Sequence, residues 1–320
     1  MSQFLSNCSV ETLAMAAQKL KQGVLVAFPT ETVYGLGADA TNEIAVKRIY
    51  EVKGRPSDHP LIVHISKMED MGLWADEIPA YAIALARDFW PGPMSLVLLR
   101  SEIAKDFITG GQDTVALRVP AHPLALGLLR EFRKIGGMGV SAPSANRFGQ
   151  VSPTTAAAVE EEIAAYLSED DLILDGGSAL VGIESTIINC TGEFPQILRT
   201  GAITQEMIEK STGIEVDTSE ASEIRVSGAL QNHYAPKAIV ILDAMAESGE
   251  GFIAPSSIAT PLGAIRLAAP SSTEEYARLL YAALRLADEK GLSRVVVIPP
   301  AGQGLAVAIR DRLLRASRGR

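Results

Sequence analysis

Cysteine is nearly absent: 320 residues contain two, Cys8 and Cys190. They lie far apart without metal-type spacing, which excludes a disulfide framework and a cysteine-built zinc site. Both read as small buried apolar residues in a reducing compartment. Positive charge is in deficit too, with 29 lysines and arginines against 38 acidic residues, a formal net charge of −9. A chain so acidic, with no basic or aromatic-rich stretch, is not built as a general nucleic-acid binder, so any tRNA contact is expected to be weak. Long apolar runs are missing, and none reaches the roughly 18 residues of a membrane span. The opening MSQFLSNCSVETLAM has no basic segment followed by an apolar one, so no secretory signal is read and a cytoplasmic protein is expected. No repeat or low-complexity tract interrupts the chain.

What is present is a foldable chain, 47% hydrophobic and long enough for two domains. Ser9 caps a helix to about Gln22, stopped by Gly23, before a strand over 24–28. Thr41 or Asn42 opens a second helix that carries Ile44, Ile49 and Val52 inward and ends near Gly54 and Pro56. Strands over 61–65, 95–99, 114–119 and 138–142 alternate with helices over 79–90 and 123–134. Pro153 suits the first turn of a helix reaching about Leu167. Strands near 172–175, 184–190 and 196–199 complete a mixed sheet, and Thr204 caps a helix to about Ser211. The pattern then weakens from Gly213 to Pro236, a linker unusually long for a passive tether. Beyond it, strands over 238–244 and 294–300 alternate with the amphipathic helices EEYARLLYAALRLADEKG and GLAVAIRDRLLRAS. The expected fold is α/β: a large twisted mixed-sheet domain over 1–212, a linker over 213–237 and a smaller Rossmann-like α/β domain over 238–320. A chain ending at Ser211 is expected to fold, its sheet being complete.

Chemistry concentrates at strand ends. PTETVYGLGADA, residues 29–40, follows an apolar strand and holds more hydroxyl and carboxylate groups than a turn needs. Its Gly35, Gly37 and Ala40 mimic a dinucleotide fingerprint, but the glycines come too late after the strand and the acidic partner is missing. No G-x-x-x-x-G-K-[ST] loop occurs either, so a nucleotide must be held by scattered side chains. KGRPSDHPLIVHI supplies Lys53 and Arg55 at a helix end, then His59 and His64. Arg118, inside the apolar VALRVP, either snorkels at a sheet edge or turns its planar fork to a carboxylate or phosphate. SAPSANRFGQVSPTT brings Ser141, Ser144, Asn146, Ser152 and Thr154 together. Ser152 is placed as an N-cap before Pro153, where free N–H groups also suit an anion. Ser144 lacks the G-x-S-x-G context of a hydrolase nucleophile, and no nucleophile is assigned. GIESTIINCTG and LRTGAI add Ser185, Thr186 and Arg199.

The ordered series FPTETVYGLG, KGRP, PLIVHI, WPGP, LRVP, APSAN, SPT, ESTI, LRTGAI and HYAP resembles the threonylcarbamoyl-AMP synthase family over nearly the whole chain. The likeness is to its long form, a YrdC-like catalytic domain followed by a linker and a C-terminal domain. It implies a nucleotidyltransferase that turns L-threonine, bicarbonate and ATP, accompanied by Mg2+, into L-threonylcarbamoyladenylate and pyrophosphate. The product would pass to a tRNA threonylcarbamoyl-transfer enzyme. On this resemblance Thr32, His64, Arg118, Ala142 (through its backbone) and Ser185 match threonine-binding positions. Arg55, His59, Thr114, Ser144, Ser152, Arg199 and Tyr234 match ATP-binding positions, with Lys53 nearby for phosphate. The chain departs from the family at His59, where Asn is usual, and at Leu230 and Asn232, where the linker is usually basic. Two other classes compare poorly: an RNA-binding module lacks its basic surface, and a hydrogenase-maturation carbamoyl-transfer domain lacks its cysteine clusters. The linker, ending in His233–Tyr234–Ala235–Pro236, is read as a lid with Tyr234 against ATP.

Overall fold

The computed structural model describes residues 2–6, 9–219, 223–228 and 233–319; Cys8, Leu230 and Asn232 lie outside them. The strands are β1 (Gln3–Leu5), β2 (Val26–Pro29), β3 (Tyr34–Asp39), β4 (Ile62–His64), β5 (Met94–Leu99), β6 (Thr114–Arg118) and β7 (Val140–Ser141). They continue with β8 (Leu172–Leu174), β9 (Thr186–Asn189), β10 (Gln196–Arg199), β11 (Ile239–Leu242), β12 (Gly251–Ile253), β13 (Ile265–Ala268) and β14 (Arg294–Val297). The α-helices are α1 (Val10–Lys21), α2 (Glu43–Lys53), α3 (Met71–Trp74), α4 (Ala80–Phe89) and α5 (Asp106–Thr109). They continue with α6 (Pro123–Lys134), α7 (Ala156–Ile163), α8 (Gln205–Thr212), α9 (Thr273–Glu289) and α10 (Leu305–Ser317).

Ten strands form one sheet in the order β1-β8-β2-β3-β7-β4-β6-β5-β9-β10, with parallel and antiparallel neighbours mixed. The second sheet, β11-β14-β12-β13, is wholly parallel. The mixed large sheet and small parallel sheet are as expected from the alternation of patterns. Capping follows the sequence signals: the side chains of Ser9, Asn42 and Thr204 each accept a backbone N–H in the first turn of their helices.

Three local expectations are corrected. Ile44 is 77% exposed, because five residues of helix rotate it about 140° away from Ile49 and the buried face. The helix after Pro153 begins at Ala156 with Thr155 as its N-cap, since the Ser152 hydroxyl is taken by Glu184. The YGLGAD stretch, for which no strand was expected, is one, pairing antiparallel with β2. A Cβ at Gly37 would collide with Phe28 and Val140, so that glycine serves close strand packing.

The two sheets are not independent bodies of core. Val33, Val151 and Ile183 from the first domain are buried in one cluster with Tyr234 and residues of α9 and α10. A chain ending at Ser211 keeps all ten strands of the large sheet, as expected, but would bare these side chains. The segment after Gly213 also packs rather than dangles: Val226 is buried with Ile62, Val97 and Ile187.

Candidate active site

The β2–β3 connection is folded by its own threonine. Thr30 Oγ1 accepts from the N–H groups of Thr32 and Val33, both at 3.2 Å, and donates to the Val33 carbonyl at 2.6 Å. This turn delivers Thr32 to a cleft whose other walls come from the ends of α2, β4, β6, β7, β9 and β10 and from Ser227, Gly228, His233 and Tyr234 of the linker, the crossing segment. Register does the rest. His64 and Arg118 are partners in the parallel β4–β6 pair, so both stand on one side of the sheet at its carboxyl edge.

Ten predicted residues line the cleft together: Thr32, Lys53, Arg55, His64, Arg118, Ala142, Ser144, Ser185, Arg199 and Tyr234. Three do not. Ser152 lies behind Glu184, to whose carboxylate it donates at 2.6 Å. His59 packs edge-on against Phe148, ring centroids 5.4 Å apart, and Phe148 is the residue that lines the wall. Thr114 opens β6 in a neighbouring recess with Pro60 and Val226. Sequence reasoning passed over Phe148, Glu184, Ser227 and Gly228, all of which line the cleft. Glu31, whose carboxylate marked the PTETVYGLGADA stretch but which was given no binding role, stands behind Arg118. The acids had a signal, each sitting beside a named hydroxyl in TET or IEST; Ser227 and Gly228 had none.

Arg118 is not at an edge. It is buried, and donates from Nε to the Gly92 carbonyl at 3.2 Å and from Nη2 to Glu31 Oε1 at 2.6 Å. Glu31 in turn accepts the Ala121 N–H. The side-on face of the guanidinium is thus committed, and its Nη edge is left for a ligand. Arg199 uses all three nitrogens: Nε on the Ser185 carbonyl, Nη2 on Ser185 Oγ, both at 3.0 Å, and Nη1 on the Ser227 carbonyl at 2.8 Å. Ser185 Oγ also meets Ser95 Oγ at 2.9 Å. Lys53 Nζ donates to the carbonyls of Ser144 and Asn146 and so pins the APSAN loop. Arg55 bonds the Pro60 carbonyl and Ser227 Oγ through Nη2, while its buried Nε has no partner.

Burial governs the charges. It pushes His64 down to about 3, with the Arg118 charge adding to the effect, and burial likewise pushes His233 down to about 3. Both imidazoles are neutral at pH 7, and the Nδ1 atoms of both lack partners. Burial, with Arg55 beside it, holds Lys53 well below the usual ammonium range. Burial raises Tyr234, which stays a hydroxyl donor, and this Oη is unpartnered. Tyr234 takes the left-handed φ of 64°. Its ring stacks on Tyr281 with centroids 5.7 Å apart.

Gly228, at φ 79°, makes room for that hydroxyl, because a Cβ there would overlap Tyr234 Oη and crowd Arg199. Gly228→Ala is therefore expected to lower stability by roughly 1 kcal/mol or more from backbone strain alone. It should also raise the KM of whatever ligand Tyr234 and Arg199 face. Thermal unfolding together with steady-state kinetics checks both; a variant equal to wild type in each would show that the segment yields without disturbing the wall.

Among the described residues no cluster of three or more His, Cys, Asp or Glu side chains suits a metal. The carboxylate lining the cleft, Glu184, is already engaged by Ser152, Tyr281 and Arg312. The wall does not fit a protein-held Mg2+.

A family model described as Telomere recombination, for Sua5, YciO and YrdC, matches residues 18–201. A second, described as the C-terminal domain of threonylcarbamoyl-AMP synthase, matches residues 203–318. Threonylcarbamoyl-AMP synthase of Pyrococcus abyssi is 41% identical, over 95% of this chain and 94% of its own. That of Bacillus subtilis is 38% identical, over 96% and 93%. Pyrococcus abyssi Sua5 complexed with L-threonine superposes with a TM-score of 0.88 at 38% identity, covering 99% of this chain and 98% of that one. Strand-end cations, a hydroxyl-lined cleft and likeness across both domains agree: the chain belongs to the threonylcarbamoyl-AMP synthase family, in the form that carries the C-terminal domain.

Proposed function

We propose that this protein is a nucleotidyltransferase that makes L-threonylcarbamoyladenylate and pyrophosphate from L-threonine, bicarbonate and ATP. The observation that carries this reading is the gathering of Arg118, neutral His64, Thr32 and Ser185 beside Arg55, Ser144 and Tyr234 in one cleft. The threonine carboxylate meets the free Nη edge of Arg118. Thr32, Ser185 and the Ala142 backbone read its polar groups, and the neutral His64 lines the wall beside them. Because His64 is uncharged, it does not repel the substrate ammonium.

The substrate ammonium first loses one proton to solvent; as its nitrogen bonds to the bicarbonate carbon a second proton leaves with the departing hydroxide as water, and a carbamate that keeps one N–H forms. A carbamate oxygen then attacks the α-phosphorus of ATP, the bond to the β-phosphate breaks, and pyrophosphate departs. Such a reaction needs placement and charge neutralisation, not a protein nucleophile. Arg55, with an uncommitted Nε, suits the triphosphate best. Lys53 and Arg199 hold the surrounding backbone, and Arg199 adds positive potential. Phe148, His233 and Tyr234 make an aromatic wall suited to the purine end of the nucleotide. Mg2+ enters as part of the ATP substrate, since the wall does not hold it. The product goes to a tRNA threonylcarbamoyl-transfer enzyme in the cytoplasm. His59, Thr114 and Ser152 support the nucleotide side indirectly, through Phe148, the neighbouring recess and Glu184.

Pyrophosphate release is expected to require both threonine and bicarbonate, with serine a poor substitute. Equal turnover with leucine, or none with threonine, overturns the reading.

A further inference from the structure

Glu184 is the one acidic side chain lining the cleft among the described residues, and several elements converge on it. Its Oε1 accepts from Ser152 Oγ, and its Oε2 accepts from Tyr281 Oη on α9 and from Arg312 Nε on α10, both at 2.8 Å. Arg312 is wholly buried, donates to the Thr200 carbonyl and Asp311, and lies 5.2 Å from the centroid of the Tyr234 ring. A second buried guanidinium, Arg199, stands in the same field but spends its nitrogens on Ser185 and Ser227. A buried carboxylate needs a cationic partner. Here two guanidiniums compete for that role, and the one from the C-terminal domain fills it.

We propose that Arg312 is a positioning residue of the active site: by partnering Glu184 from the C-terminal domain, it leaves Arg199 to hold Ser185 on the threonine side and Ser227 on the ATP side. The inference rests on the synthase reading above. Without Arg312, Glu184 either draws Arg199 away from Ser185 or takes up a proton. The groups facing Glu184 are Arg312 and Asp311 on α10, Tyr281 on α9, Arg199 on β10, Ser152, and His233 and Tyr234 of the crossing segment. Burial by itself raises the Glu184 carboxyl, but Arg312 and then Arg199 outweigh it and bring the group down to about 2. In Arg312→Met burial regains the upper hand, so Glu184 becomes protonated as pH falls from neutral, and that releases Arg199.

The test compares full-length wild type, Arg312→Met, Arg312→Lys and the double variant Glu184→Gln/Arg312→Met. Pyrophosphate release is followed from pH 5 to 9 and urea unfolding from pH 4 to 7. Arg312→Met should raise the threonine KM about ten-fold or more at pH 8. The ratio of its activity to that of wild type should climb as pH falls. The double variant removes the unpaired charge and should recover most of the threonine KM with a flat ratio. Arg312→Lys should fall between wild type and Arg312→Met. A residue that merely glues two domains together would leave the double variant as impaired as the single one, with a pH-independent ratio. That result overturns the proposal, as does a wild-type KM in Arg312→Met. Should Arg312→Met fail to fold, an active double variant supports the proposal and an inactive one sinks it.

The unfolding arm stands apart from the reaction. In wild type the carboxyl is lower folded than unfolded, so its contribution to stability is lost as pH drops. In Arg312→Met the order reverses, and the stability deficit against wild type should shrink as pH drops. A deficit that stays constant counts against the proposal even if the wild-type protein releases no pyrophosphate; absent turnover in wild type with a shrinking deficit rejects the synthase reading alone.

Discussion

Arg118→Ala is expected to weaken threonine binding about 30- to several-thousand-fold, the equivalent of roughly 2–5 kcal/mol for breaking a buried charged contact. The truncation does two kinds of damage. It removes the cation that faces the substrate carboxylate, and it leaves Glu31 with the Ala121 N–H as its other donor among the described residues, in a buried site. The substrate carboxylate would then approach an uncompensated anion. Arg118→Lys should recover only part, because an ammonium cannot bond Gly92, Glu31 and a ligand with the same fixed spread. Glu31→Gln separates the two effects: it keeps the cation while loosening its aim, so a milder loss is expected. Titration calorimetry with threonine measures all three, and unchanged affinity in Arg118→Ala would show that the substrate carboxylate sits elsewhere.

Tyr234 yields the second large effect, and two substitutions divide it. Tyr234→Phe deletes a buried hydroxyl that has no partner, so stability should hold or rise slightly. If the hydroxyl donates to ATP, its loss should raise the ATP KM by about 2- to 10-fold, the worth of one ordinary hydrogen bond. Tyr234→Ala also strips the ring from Tyr281 and Arg312 and should cost about 3–5 kcal/mol in urea unfolding. It would open the wall and let a water-sensitive adenylate escape, so product release into solution should rise as turnover falls. A wild-type ATP KM in Tyr234→Phe would reduce Tyr234 to an anchor of the C-terminal domain.

Much of this was legible in the sequence where a local rule has a short reach. Helix caps at Ser9, Asn42 and Thr204 depend on three or four consecutive residues and were placed within a residue or two. β3 was missed because Gly35 and Gly37 lower strand propensity, and only the approach of Phe28 and Val140 from other segments explains them. Motif resemblance gathered ten cleft residues, since most of the motifs sit at strand ends, with KGRP at the end of α2 and HYAP in the linker. What it could not supply was who bonds whom. Lys53 looks like a phosphate ligand until its two carbonyl partners appear nearly a hundred residues away. Glu184 and Arg312 lie 128 positions apart, beyond any local pattern.

That separation bears on modularity. Residues 213–237 look like a natural splice point, where one relative's tail might be grafted onto another's head. The Glu184–Arg312 and Tyr281–Glu184 bonds place the true seam elsewhere, among side chains that must travel as a set. A chimaera joined in the linker inherits half of that set from each parent. It will work only when the incoming tail brings a cation and a hydroxyl to the same carboxylate, so compatibility between heads and tails should follow those positions rather than overall identity.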